Sequence, residues 1–321
     1  MYKNEQLTHT PNTDHPEWNE SYYFLFSDES QKIRAMTRIG FKPNKDEGMN
    51  FFFIFLPDGS ALGHNATSSA SSYPTKFQVA EMEFARLDDG RWTYHFKGRM
   101  VHVSQPELFP KVRTDPTLSK GMVDVQMELT LQPIHDTYEY SQHMTPESLE
   151  LGKKSGDEHW EQIGQVEGSL RVGDTTYNIS GIGERDHTHG LRDWTGIGDW
   201  LYYVVWFDET LAINPAAIID DSGTVSTGGF LFKEGQNIPL RSIHLAEQKL
   251  DSNGFPTWSR LEIVDARGEP HTLVAEAGSI VPLPFGSRDG GLSILIQSFG
   301  SFELDGRGGG FGSYERLVKL R

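Results

Sequence analysis

A chain of 321 residues, 36% of them apolar and 12% aromatic, is long for one core and sufficient for two. Its 45 acidic against 29 basic side chains leave a formal charge of −16, which repels nucleic acid and anionic membrane surfaces. The lack of cysteine excludes disulfides, thiolate metal sites and a cysteine nucleophile, no apolar run reaches the length of a membrane span, and the N-terminal residues lack a signal-peptide pattern, so a soluble, cytoplasmic protein is expected.

In chain order the elements are nearly all strands. "SYYFLFS" from Ser21, "KIRAMTRIGF" from Lys32 and "NFFFIFL" from Asn50 come first; Phe51, Phe52, Phe53 and Phe55 are core by default, with the lining of a first barrel as the sharper reading. "DGSALGHNATSSASSYPT" from Asp58 reads as a loop. "KFQVAEMEFARL" and "RWTYHFKGRMVHV" follow, and then "SQPELFPKVRTDPTLSKG" from Ser104 reads as a second loop. Insertions of this kind are expected to lie over a barrel mouth as lids. "VDVQMELTL" alternates strictly, with Val123, Val125, Met127, Leu129 and Leu131 on the dry face. "HMTPESLELGKK" predicts a short helix with Thr145 as N-cap and Pro146 at its first position. "QVEGSLRV" and "TTYNISGIG" lead into the densest cluster of charge.

Beyond that cluster, "DWLYYVVWFDE" is apolar on both faces, which predicts a central strand with Trp200, Tyr202 and Trp206 sharing one side. Further short strands run to the C-terminus. "GRGGGFGSYER" does not match a dinucleotide fingerprint, and its glycines mark bulges or close backbone approach. About sixteen strands with hardly a helix predict antiparallel barrels or sandwiches.

The cluster itself is "GIGERDHTHGLRDW", Gly181 to Trp194. If it is extended, period-two alternation puts Arg185, His187 and His189 on one face and Glu184 and Asp186 on the other. Three readings compete. The two imidazoles suit a metal held as in cupin-like barrels, with Asp193 as a carboxylate and a third histidine among His64, His95, His102, His143 or His159. The interleaved acids and bases suit a buried ion-pair network in which Arg185 and Arg192 fork onto carboxylates. The density of titratable groups suits a site where protons move, with Asp186 and Asp193 as acids and His187 as carrier.

"HPEWNESYYFLF", "RIGFKPN", "GIGERDHTHGLRDW" and "GGFGSYE" together resemble a bacterial family of paired domains whose central motif reads Gly-x-x-x-Arg-Asp-His-Ser-Trp-Gly-x-Arg-Asp-Trp. That family is distantly similar to the carotenoid 1,2-hydratase and AttH-like group, so the resemblance implies two lipocalin-like barrels or sandwiches in tandem. It also implies hydration, dehydration or cyclisation of isoprenoid or polyketide substrates, with Asp186, His187 and Gly190 in the positions of the hydratase motif. The family's Ser and Trp are Thr188 and His189 here, which replaces a ring with a base. A later carboxylate of the hydratases corresponds to Asp208 or Asp220, with Glu315 a further candidate.

The combined expectation is an all-β protein of two lipocalin-like domains, 1–190 and 191–321. It binds a hydrophobic small molecule and works by acid/base chemistry without a cofactor, homodimer formation being left open. Asp186, His187, His189 and Asp193 are the expected catalytic groups, and Arg185, Arg192, Trp194, Trp200, Tyr202 and Trp206 the substrate-binding ones. The alternatives are a non-catalytic carrier and a metal-dependent lyase or oxygenase using His187 and His189.

Overall fold

Alternation builds most of this molecule. In Ser119–Pro133, Val125, Met127, Leu129 and Leu131 are buried while Asp124 and Glu128 are exposed, as expected of a strand with one dry face. The computed structural model describes residues 5–153, 156–191, 198–219, 225–286 and 291–320. Two compact units divide the chain: Met1–Thr137 with Gly156–Arg192, and Tyr138–Ser155 with Asp193–Arg321. Among the described residues no helix is long and apolar enough to cross a membrane.

From the N-terminus come β1 (Trp18–Asp28), β2 (Ile33–Lys42), β3 (Glu47–Phe55), β4 (Ala61–Ser68), β5 (Phe77–Val79), β6 (Met82–Arg86) and β7 (Trp92–Val103). Helix α1 (Phe109–Val112) and β8 (Ser119–Pro133) follow, and then β9 (Tyr138–Glu139) and helix α2 (Pro146–Gly152). Next are β10 (Glu158–Val172), β11 (Thr175–Leu191), β12 (Asp199–Asp208), β13 (Leu211–Ile219), β14 (Val225–Lys233) and β15 (Gln236–Leu250). The chain ends with β16 (Pro256–Asp265), β17 (Pro270–Gly286), β18 (Leu292–Leu304) and β19 (Arg307–Leu320).

The first unit runs β4-β3-β2-β1-β11-β10-β8-β7, all antiparallel, and β4 returns to pair with β7 through Ala61–Val103, Leu62–His102 and Gly63–Val101. The path therefore closes on itself, and β5 and β6 branch from β7. Tyr22, Phe24, Phe26, Phe52, Trp92 and Tyr94 belong to the cluster inside. Of the four phenylalanines in β3, Phe52 is the inward one. Phe51 and Phe53 point outward, where Phe53 meets the ring of Phe109 in α1 at 5.1 Å.

Two stretches read as loops carry structure. Ala61–Ser68 is β4, paired with β3 along its whole length; its glycine, alanine and hydroxyl residues hide the alternation, and it is the register with β3 that selects the strand. The Ser104 stretch holds α1 between two short 3-10 turns, and places Phe109 against Gly63 on the outside of β3 and β4.

The second unit closes an eight-stranded barrel in sequence order, β12 to β19, around Leu201, Tyr203, Val205, Leu261, Phe302 and Tyr314. Helix α2 is capped as expected, Thr145 Oγ1 accepting from the Ser148 N–H at 3.2 Å. Its segment is fixed to β13 and β14. The Ser226 hydroxyl donates to the Ser148 carbonyl at 3.0 Å, the Tyr138 hydroxyl donates to the Gly229 carbonyl at 2.9 Å, and the Tyr140 hydroxyl donates to Asn214. The glycine-rich C-terminal stretch is strand β19: a Cβ at Gly312 would lie 1.8 Å from the Val204 carbonyl oxygen, so only glycine permits that approach.

Candidate active site

The charged motif is extended, as its alternation requires. Gly181 to Leu191 continues β11, paired on one side with β1 and on the other with β10. Period two then sorts its side chains between the inside and the outside of the first unit.

Inward, Arg185, His187 and His189 meet partners from distant segments. Arg185 forks onto Glu5, Nη1 to Oε1 at 2.5 Å and Nη2 to Oε2 at 2.6 Å, and also donates to Gln162 and Thr137. Its guanidinium lies 5.3 Å from the Trp92 ring centroid. His187, fully buried, bridges Glu5 at 3.1 Å and Glu20 at 2.8 Å while stacking between Tyr22 and Trp160. Burial alone would lower its pKa, but the bonds to Glu20 and Glu5 outweigh burial and raise it above the ordinary histidine value. Burial likewise disfavours ionised Glu5, and Arg185 with His187 outweighs this and holds its carboxyl well below the usual range. Glu20 is held down to about 2, burial being overcome by His187 and His9. This part of the cluster is the ion-pair network.

At its edge, His189 stacks on His9 with ring centroids 3.7 Å apart, and its Nε2 lies 3.2 Å from Glu158 Oε2. Burial and the neighbouring His9 lower the His189 pKa, leaving that ring neutral. Gly190 adopts φ +121°, and a Cβ there would lie 2.5 Å from the Asp157 backbone nitrogen. Gly190→Ala is therefore expected to destabilise the fold by about 1–3 kcal/mol in urea denaturation.

The network continues from Gln162, whose amide donates to the His135 carbonyl at 2.8 Å. His135 Nε2 accepts from the Ile163 N–H at 2.9 Å, and burial pushes its pKa down to about 4. The unfolded histidine binds a proton that the folded one refuses, so this contribution to stability is complete above about pH 6.5 and is lost as pH falls toward 4. Urea titrations across that window should show a loss on the order of 3 kcal/mol that is smaller in His135→Gln.

Outward, β11 carries Glu184 and Asp186 beside His159, Glu161 and Ile163 of β10 and Tyr23 and Leu25 of β1. Glu184 and Glu161 are completely buried and hydrogen-bonded to each other. Burial first, then the charge of Glu161 and of Asp186, raises the Glu184 pKa well above its ordinary value of 4.5, which favours its protonated form. His159 Nε2 lies 2.6 Å from Glu161 and 3.4 Å from Asp186, and the His159 and Asp186 side chains are 26% and 15% exposed, giving the buried pair a route to solvent. The same face continues as an apolar strip: Met36 follows Leu25 in the register, Phe53 follows Met36, and the Tyr23 ring meets that of Phe51 at 6.3 Å.

Asp186 and His187 thus lie on opposite faces of β11, and no proton passes directly between them. The histidine meets the ion-pair network and the aspartate meets the glutamate pair. Arg192, Asp193 and Trp194 lie outside the described residues, as does Asp220. Trp200, Tyr202 and Trp206 belong to the second unit and point away from the interior of its barrel, at 8%, 9% and 4% exposure. Glu315 opposes Tyr202 in the register and accepts from Gln297. Asp208 ends β12: bonds from Thr210 and Arg307 hold its pKa down to about 2, which removes it as a proton donor.

Glu5, His9, Glu20, Glu158 and Glu161 were not legible as site residues, and His159, considered as a histidine ligand, stands instead beside Glu161 and Asp186. Glu20 alone carried a signal, since it shares the period-two face of Tyr22, Phe24 and Phe26, where an acid is out of place.

Two antiparallel β units, each closed by strand pairing and joined in one chain, define a tandem lipocalin-like protein. The chain belongs to the family described as Domain of unknown function (DUF7064), whose profile matches residues 3–315. No curated protein matches it at a significant level. Among solved structures it is similar to a Nitrosomonas europaea protein designated a candidate AttH, with 12% identity over 94% of this chain and 92% of the other and a TM-score of 0.63. It is also similar to CghA, with 10% identity over 99% and 95% of the two chains and a TM-score of 0.57. Kievitone hydratase from Nectria haematococca is a third, with 9% identity over 94% and 88% and a TM-score of 0.55. At these identities the likeness is one of fold.

Proposed function

We propose that the protein is an acid/base enzyme of the hydratase, dehydratase or cyclase kind, acting at a carbon–carbon double bond of an apolar, isoprenoid- or polyketide-like substrate. The observation that carries this reading is the buried Glu161–Glu184 pair, whose surroundings favour a protonated carboxyl beside the apolar strip of Tyr23, Leu25, Met36 and Phe53. A carboxylic acid in such surroundings is a proton donor in waiting.

In the forward direction Glu184 gives its proton to one alkene carbon, and the cation that forms on the other is flanked by the faces of Tyr23 and Phe51. Water, or an internal nucleophile in a cyclisation, adds to the cation. The proton it releases returns through Asp186 and His159 to the glutamate pair, so the enzyme ends as it began. Dehydration is the same path reversed. That one structural neighbour is named a hydratase supports the reading.

The test is incubation with prenylated phenols and linear polyenes in deuterium oxide, scored by mass spectrometry for deuterium on carbon. Incorporation by the wild type that disappears in Glu184→Gln is expected. Equal incorporation by both would remove Glu184 as the donor, and a carrier would incorporate none while retaining the ligand.

A further inference from the structure

We infer that His9, His189 and Glu158 form a binding site for a first-row divalent metal ion. The site lies on the inward face of β10 and β11, opposite the glutamate pair, and is independent of the proton chemistry proposed above.

Three donor atoms converge there. His189 Nε2 is 3.2 Å and His9 Nε2 is 3.9 Å from Glu158 Oε2, and all three lie within 4.8 Å of one another. Around an ion with bonds of about 2.0–2.2 Å, neighbouring donors sit roughly 3.0–3.4 Å apart, a spacing that the 41% exposed Glu158 side chain can adjust to. The two imidazoles stack with their planes 21° apart, and each has its Nε2 within 3.9 Å of the same carboxylate oxygen.

The surroundings prepare His9 for this role. Its Nδ1 lies 2.6 Å from Glu20 Oε1, so that nitrogen is engaged by the carboxylate and Nε2 is the one turned to Glu158. The backbone of His9 is fixed by the same carboxylate, its N–H donating to Glu20 Oε2 at 2.9 Å, and by the Tyr73 hydroxyl, which donates to the His9 carbonyl at 2.7 Å. A carboxylate behind a histidine is the outer shell that orients metal-binding imidazoles. The neighbouring trio His9, Glu20 and His187 has close donors too. There both nitrogens of fully buried His187 are already engaged by Glu5 and Glu20. Two histidines and one carboxylate with an open side fit zinc, iron or cobalt and leave positions for water or a ligand.

The probe is cobalt(II), titrated into untagged full-length protein freed of metal by chelator and followed by its visible absorption, with zinc as competitor. One equivalent should bind with the bands of a protein-coordinated ion and be displaced by zinc. His9→Ala and Glu158→Gln should each abolish the bands, and Glu20→Gln, which reaches the site through His9, should weaken binding roughly 10- to 100-fold. Glu158 is exposed enough for its variant to fold whatever becomes of the others. Absence of the bands in the wild type, or equal affinity in Glu158→Gln, would overturn the assignment.

Discussion

Arg185→Met is expected to destabilise the first unit by about 3–5 kcal/mol, enough to move its urea midpoint far below that of the wild type. The guanidinium donates to both oxygens of Glu5 and to Gln162 and Thr137 in a site where arginine and glutamate are almost wholly buried. Methionine fills most of the volume but leaves the Glu5 carboxylate facing His187 alone. An uncompensated buried charge dominates such a loss, more than the intrinsic worth of the pair. The double variant Arg185→Met with Glu5→Leu removes both charges and should recover much of the difference. Strict additivity of the two single losses would show that the pair is not coupled.

Glu184→Gln is expected to lower the rate of proton transfer to substrate by roughly 10²- to 10⁴-fold while making the folded protein more stable. The second half of that result separates catalysis from scaffold. In the unfolded chain Glu184 ionises near its ordinary value of 4.5, whereas burial and Glu161 raise that value well above it in the fold. The folded state therefore binds more protons, and the residue's contribution to stability falls as pH rises above about 4.5. Glutamine cannot ionise, so its advantage over the wild type should grow from pH 5 to pH 8. Thermal melts across that range measure it. A variant that lost both activity and stability at every pH would mark Glu184 as structural.

The faces of the motif were legible because alternation needs only one strand: Arg185, His187 and His189 inward, Glu184 and Asp186 outward. What each face meets was not, because the partners come from far along the chain. Glu5 lies 182 positions from His187, and Glu20 lies 167 from it. The residues before Gln165 lack strict alternation, so the first half of β10, which carries Glu158 and Glu161, was invisible as strand. The third histidine beside the His-x-His pair is His9, from an N-terminal segment without periodicity, and none of the five histidines considered from sequence takes that place. Asp186 drew attention as part of a motif, whereas Glu184 gains its character from burial and a neighbour, and neither is written in local sequence.

Residues 138–155 leave the first unit after β8, clamp onto β13 and β14, and the chain then returns to supply β10 and β11. The two barrels are therefore threaded through each other in the gene and are not beads on a string. A cut near residue 190 would strand a short piece of the second barrel on the fragment carrying the first, so evolution cannot shuffle either barrel alone without first rerouting that loop. On the ribosome, the last two staves of the first barrel emerge only after a strap destined for a barrel not yet made. That order of synthesis welds the pair into one heritable unit.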